Sequence, residues 1–371
     1  MKKILISVCL VMIASIALNV YFYQNSKTEK EKVENTRIVN SNPRVKTDTK
    51  NPGKLCFNAL TEKELVQIVK SARELKAKSV DSYEKFLKTF KKRAAITLKE
   101  AEKGNVIAQF NMAFFYAKGI GVEKDEKQAV YWYQKAATLG HCSSQYHLSN
   151  YYWNGIGAPK DGKQAIIWCQ KAAKQGHNTA QYNLGNCYHY GIGVEKDAKQ
   201  AVHWYKKAAE QGNANAQTDL GYCYHYGIGV EKDVKQAVHW YKQAAKQNNA
   251  TAQFILGYCY HYGIGVEKDV KQAVHWYTNA AEQGDINAQN NLGYCYHYGI
   301  GVEKDVKQAV HWYKQAAKQN NATAQFSLGY CYYYGIGVKK DEKQAVHWYK
   351  QAAKQGEINA QQTLENLHIT Y

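Results

Sequence analysis

From Asn105 onward the apolar positions fall into a pattern that recurs every 36 residues. In one copy Ala180, Leu184 and Tyr188 stand at i, i+4 and i+8, and Ala201, Trp204, Tyr205 and Ala208 then mark a second apolar face at helical spacing. Glycine and polar residues separate the two runs, so each unit reads as helix, loop, helix. Gly-Ile-Gly begins at Gly119, Gly155, Gly191, Gly227, Gly263, Gly299 and Gly335, which marks seven units over 105–356 and leaves a closing helix in 357–371. A helix pair this short cannot bury its apolar face alone, and stacking neighbours is the solution, so the period predicts an all-α solenoid. The second helix is expected to bury Trp240 as a core residue.

The loop chemistry agrees with that reading. Gly191 closes the first helix, where a left-handed residue is needed, and Gly193 turns the chain so that Val194 tucks inward. Asp197 with Gln200 three residues on is a capping box for the second helix, and Asp125, Asp161, Asp233, Asp269, Asp305 and Asp341 repeat it. Asn248 and Asn320 stand where Gly212 ends the second helix, and Asn is the next-best left-handed residue. Gly-Ile-Gly is not a phosphate loop. It follows a helix rather than a strand, and the third glycine of a dinucleotide fingerprint is absent.

The first hundred residues differ. Met1-Lys2-Lys3 precedes Ile4–Tyr23, which carries no charge and has the length of a signal peptide core or a transmembrane anchor, so 1–23 is expected to export or tether the chain to a cell envelope. Residues 24–54 are polar, with Pro43 and Pro52, and read as a flexible linker. Over 55–104, Thr61 to Glu64 is a capping box, and two helices follow as an N-terminal cap, with Leu65, Ile68, Val69 and Leu75 on the first and Tyr83, Phe86, Leu87 and Phe90 on the second. The chain's net charge of +18 is uneven: 22 Lys and Arg against 11 Asp and Glu through Gly104 leave +11 there and +7 over the rest. So thin a charge over the repeats argues against a nucleic-acid partner.

The residues Ala180, Leu184, Gly185, Tyr188, Gly191, Gly193, Val194, Asp197, Ala201, Trp204, Tyr205, Ala208, Ala209 and Gly212 resemble the Sel-1-like repeat, a relative of the tetratricopeptide repeat. The second unit departs from it, with Ser149 for the first glycine and Cys169 after Trp168. The resemblance implies a right-handed superhelix whose first helices line a concave face. It also implies a non-enzymatic adaptor for partner proteins or peptides, with known roles in membrane-protein quality control, envelope signalling and host contact.

By the family pattern the groove stripe is Tyr182, Asn186 and His189, then Tyr222 and His225, Phe254, Tyr258 and His261, Tyr294 and His297, and Phe326 and Tyr330. Tyrosine offers rigid contact area with a polar tip, which suits peptides and also the faces of sugars, so a glycan or peptidoglycan binder is the rival reading. An imidazole of ordinary pKa near 6.5 would charge as pH falls toward 5. A zinc ladder is disfavoured, since no helix carries a Cys-x-x-Cys or His-x-x-x-His pair. Cys187, Cys223, Cys259, Cys295 and Cys331 recur at a spacing too wide for disulfides and read as small core residues. Secreted relatives with one disulfide per repeat have a paired cysteine spacing that this chain lacks. Asn249 and Asn321 head Asn-Ala-Thr sequons at predicted helix starts. A β-lactamase-like hydrolase has only Ser82-Tyr83-Glu84-Lys85 in its favour, without companion motifs. The sequence therefore calls for no cofactor and no metal, and for a monomer.

Overall fold

The computed structural model describes residues 47–48, 51–55 and 60–370. The chain divides into two units, 1–55 and 56–371. In the first, Thr47–Asp48 (β1) and Asn51–Leu55 (β2) pair antiparallel, at the end of the stretch expected to be a linker. The predicted anchor Ile4–Tyr23 lies outside the described residues, and among those described no helix is long and apolar enough to cross a membrane.

The second unit is an all-α repeat solenoid, with seventeen helices among its described residues. α1 (Glu62–Lys78) and α2 (Val80–Glu102) precede the repeats. The repeats are α3 (Val106–Lys118) with α4 (Glu126–Thr138), α5 (Cys142–Asn154) with α6 (Gly162–Lys174), and α7 (Asn178–Tyr190) with α8 (Ala198–Glu210). Then come α9 (Ala214–Tyr226) with α10 (Val234–Lys246), α11 (Ala250–Tyr262) with α12 (Val270–Glu282), α13 (Ile286–Tyr298) with α14 (Val306–Lys318), and α15 (Ala322–Tyr334) with α16 (Glu342–Lys354). α17 (Ile358–Asn366) closes the array. Each helix packs on the helices next to it in sequence, two for those inside the array and one at either end.

Local chemistry fixes these boundaries. Asn213 Oδ1 accepts from the Ala216 N–H at 2.9 Å and starts α9. Gly227 ends it with φ 72°. Asp233 then accepts from the N–H groups of Lys235 and Gln236 at 2.9 and 3.0 Å. Here the cap is the Asp side chain alone. At Thr61 the box is complete, with Glu64 Oε2 accepting from the Thr61 N–H at 2.8 Å. Asn248 and Asn320 take the expected left-handed backbone, at φ 63° and 68°.

In the last four repeats the buried ring of the second helix is a tyrosine rather than the tryptophan before it, whereas Trp132, Trp168 and Trp204 of the first three are buried too, Trp168 being followed by Cys169 instead of a tyrosine. Tyr241 is 1% exposed, whereas Trp240 is half-buried and leans on the preceding repeat's cluster. This corrects the expectation for Trp240. The Tyr241 ring lies flat over α9 at Gly221, where an added Cβ would come within 2.7 Å of it. Helical glycine costs about 1 kcal/mol against alanine, and the ring it admits is fully buried. The same pairing recurs as Gly185 with Tyr205, Gly257 with Tyr277, Gly293 with Tyr313 and Gly329 with Tyr349. Cys223, Cys259, Cys295 and Cys331 are buried beside it as unpaired thiols, and Cys142 and Cys169 are unpaired too.

A ladder of glutamines joins the repeats. Gln217 is buried, donates to the Ala209 carbonyl of α8 at 3.0 Å and accepts from Gln247 at the end of α10 at 2.8 Å. Gln145, Gln181, Gln253, Gln289 and Gln325 make the same two bonds, the second to Gln175, Gln211, Gln283, Gln319 and Gln355. One side chain thus ties a first helix to the second helix before it and to the one after it.

Candidate functional site

The candidate face is built where each first helix approaches its glycine cap. On α9 the rings of Tyr222 and Tyr226 lie 4.5 Å apart, and His225 lies 4.6 Å from Tyr226. Spacings of i, i+3 and i+4 put the three on one side of the helix. The trio repeats as Tyr258, His261 and Tyr262, and as Tyr294, His297 and Tyr298, with ring separations of 4.5 to 4.7 Å. Tyr330, Tyr333 and Tyr334 close the series. Tyr262, Tyr298 and Tyr334 are each close to 60% exposed, at 59%, 58% and 58%. Each imidazole is wedged between this exposed tyrosine and the buried tyrosine of the second helix, His225 lying 6.5 Å from Tyr241 and His261 6.2 Å from Tyr277.

Burial, and then a nearby lysine, holds His189, His225, His261 and His297 below the ordinary imidazole range; the lysines are Lys196, Lys232, Lys268 and Lys304. The pH response expected of an unperturbed imidazole is therefore displaced to more acid conditions. Nδ1 of His189, His261 and His297 is buried without a hydrogen-bond partner. The other histidine series, His203, His239, His275, His311 and His347, is exposed, each ring edge-on to the following tryptophan at 5.0 to 5.2 Å.

At the N-terminal end the same side of the first helices is covered by the chain itself. The buried Asn111 amide, oriented to satisfy both its atoms, donates to the Leu60 carbonyl at 3.1 Å and accepts from the Leu60 N–H at 3.0 Å. Two residues on, Glu62 accepts from Ser143 Oγ at 2.7 Å and pairs with His147 Nε2 at 3.1 Å, both on α5. The hydrogen bond from His147 is the main reason the Glu62 carboxyl is held down at about 2. On α9, Asp219 is half-buried and receives the Tyr182 hydroxyl, and burial pushes its carboxyl up to about 7. No group of three or more His, Cys, Asp or Glu that could hold a metal occurs among the described residues.

The Sel1 repeat pattern matches residues 106–141, 142–177, 178–213, 214–249, 250–285, 286–321 and 322–357. The chain belongs to the Sel1 repeat family. Its structure is similar to that of a Sel1 repeat protein from Oxalobacter formigenes, with a TM-score of 0.61, 34% identity, and coverage of 82% of this chain and 87% of that one. It is also similar to a protective antigen of uropathogenic Escherichia coli strains that displays an SLR fold, with a TM-score of 0.69 and 39% identity over 74% of this chain. This chain spans 59% of that antigen's length. No curated protein matches. No catalytic family is indicated, and Ser82 and Lys85 are exposed on α2.

Among these Sel1 repeats the predicted stripe separates into two layers. The outer layer holds Tyr222, Tyr258, Tyr294 and Tyr330 with the imidazoles. The inner layer holds Tyr182, Phe254 and Phe326, whose rings lie 6.0, 6.0 and 5.6 Å from Tyr205, Tyr277 and Tyr349. Phe254 is only 8% exposed, so it floors the face rather than presenting to a ligand. Asn186 is engaged by the Tyr205 hydroxyl at 2.7 Å. The sequence reading missed Tyr190, Tyr226, Tyr262, Tyr298 and Tyr334, although they stand one turn beyond the second stripe position, directly before the glycine cap. It also missed Asp219, the one carboxylate on any first helix of the seven repeats.

Proposed function

We propose that this chain is a non-enzymatic adaptor, and that partner proteins or peptides dock along the concave face that the family pattern assigns to the first helices. The observation that carries this is the run of close-packed tyrosine pairs over repeats four to six, each presenting at least one exposed ring and backed by a wedged imidazole. Tyrosine and histidine there have few rotamers left to lose, because each ring is already packed on its neighbour, so contact costs little side-chain entropy. Sel1 repeat solenoids in general serve as protein-interaction scaffolds, and Leu60 to Glu62 illustrates how a peptide segment can be held on this side. We place the adaptor in an exported or envelope-tethered context on the strength of Ile4–Tyr23, and read it as a monomer. A glycan ligand is the second reading, favoured by the exposed tyrosine faces of Tyr262 and Tyr298. An array of immobilised peptides and glycans, probed with the full chain, separates the two. Retention on peptides is expected, and retention on glycans alone would replace the adaptor by a sugar binder.

A further inference from the structure

The segment that already lies on the first helices carries a rule for what binds further along. Asn111 grips the peptide unit of Leu60 through both its amide atoms, and the residue two further on, Glu62, reaches His147 on the next first helix. Asn111 and His147 occupy the same place in successive repeats, 36 residues apart, directly before Met112 and Leu148. Moving 72 residues along the array turns that pair into Asn183 and Asp219. The amide is retained, but the imidazole that meets a carboxylate is replaced by a carboxylate. Further on the place is held by Ile255, Asn291 and Ser327, so the charged partner occurs once in this direction.

Among the described residues Asp219 meets no cation. Burial and the Tyr182 hydroxyl are what act on it, and no described Lys, Arg or His pairs with it. The groups that feel its charge are Tyr182 and Tyr190 of α7, Tyr205 of α8 and Cys223 on its own helix, all neutral near pH 7. A half-buried carboxylate among neutral rings is costly until a cation arrives. Tyrosine faces attract ammonium and guanidinium groups in addition.

We propose that Asp219, with Tyr182 and Tyr190, is a seat for one basic side chain, and that the seat reads it two residues after a peptide unit gripped by the Asn183 amide. The inference rests on the adaptor reading and names its partner class: an extended peptide carrying Leu-x-Lys or Leu-x-Arg, the charge-reversed counterpart of the chain's own Leu60-Thr61-Glu62. The carboxyl must be ionised to hold the cation, so the preference strengthens between pH 6 and pH 8, and the bound cation draws the carboxyl back toward its ordinary range.

The test uses fluorescein-labelled Ser-Gly-Ser-Leu-Thr-Lys-Ser-Gly-Ser-amide, and the same peptide with Gln or Glu in place of Lys. Binding to the full chain is read by anisotropy at pH 8 and about 0.15 M salt, where screening over about 8 Å limits the effect of the chain's overall positive charge. The Lys peptide is expected to bind at least tenfold more tightly than the Gln peptide. Asp219→Asn, close in shape to the protonated acid, should erase that preference with helical circular dichroism unchanged, and Asp219→Glu should keep part of it. Asn183→Ala should weaken the Lys and Gln peptides alike. The seat is overturned if the parent shows no preference for Lys, or if Asp219→Asn retains it. If all three peptides bind equally and Tyr222→Ser/Tyr258→Ser/Tyr294→Ser abolishes their binding, the seat falls while the adaptor reading stands.

Discussion

At the scale of single residues, repeats three to seven turn on the contact between a helical glycine and a tyrosine. Tyr241 is the residue whose ring is wholly buried, so Tyr241→Ala is expected to cost roughly 3–5 kcal/mol. Trp240→Ala should cost clearly less, since that ring is half in solvent. Urea denaturation of the two variants decides the order, and a larger loss for Trp240 would contradict it. Gly221→Ala gains helix propensity but drives a methyl into the Tyr241 ring and within 3.1 Å of the Ala237 carbonyl. A net loss of about 1–3 kcal/mol is expected from overpacking, and a stabilised variant would show that the ring shifts aside without penalty. These residues also show what could be read early. Gly191 was legible because a glycine after an apolar run signals its own left-handed backbone. Gly221 was not, because its reason is a ring twenty positions away in sequence that only folding brings over it.

At the scale of helices, the glutamine ladder and the wedged histidines set how firmly neighbours are joined. Gln217→Leu keeps the volume but strands the Ala209 carbonyl and Gln247. A loss of about 1–3 kcal/mol is expected for a buried group left unpaired, with a broadened or split unfolding transition because each repeat leans only on its neighbours. An unchanged, single sharp transition would mean the ladder is dispensable. The histidines make the joint sensitive to acid. His189, His225, His261 and His297 have folded pKa values below the ordinary value near 6.5. The unfolded chain therefore takes up their protons first as pH falls. Their contribution to stability is full above about 6.5 and is lost as pH drops through the lower folded values. Asp219 and Asp285 act with the opposite sign: burial raises them to about 7 and about 6, so their contribution is largest in acid and is lost as pH rises through those values. Comparing the parent with a variant carrying His→Gln at all four positions isolates the imidazole part. The variant's urea midpoint should fall less than the parent's between pH 7.5 and pH 5.5, and equal falls would place these histidines outside the acid response.

At the scale of the molecule, the period alone was enough to make the solenoid legible, because helix pairs that recur every 36 residues have no other way to bury both faces. The binding face was legible only in part. Helical spacing located Tyr222, Tyr258 and Tyr294, but spacing does not distinguish a floor residue such as Phe254 from a surface one, since that depends on which ring of the second helix lies beneath it. Nor could spacing reveal that Leu60 and Glu62 cover the first two repeats, a contact spanning 85 residues between Glu62 and His147. The account's central claim is that the outer layer of tyrosines is where partners dock. The most direct test replaces Tyr222, Tyr258 and Tyr294 together with Ser in the full chain and measures affinity for a peptide retained by the parent. These rings stand outside the tyrosine–glycine core, so helical content should match the parent, while affinity should fall more than tenfold, as expected when anchors worth about 2 kcal/mol each are removed. Undiminished affinity in a fully folded triple variant would place the docking surface on the second helices or on α1 and α2, and would contradict the account.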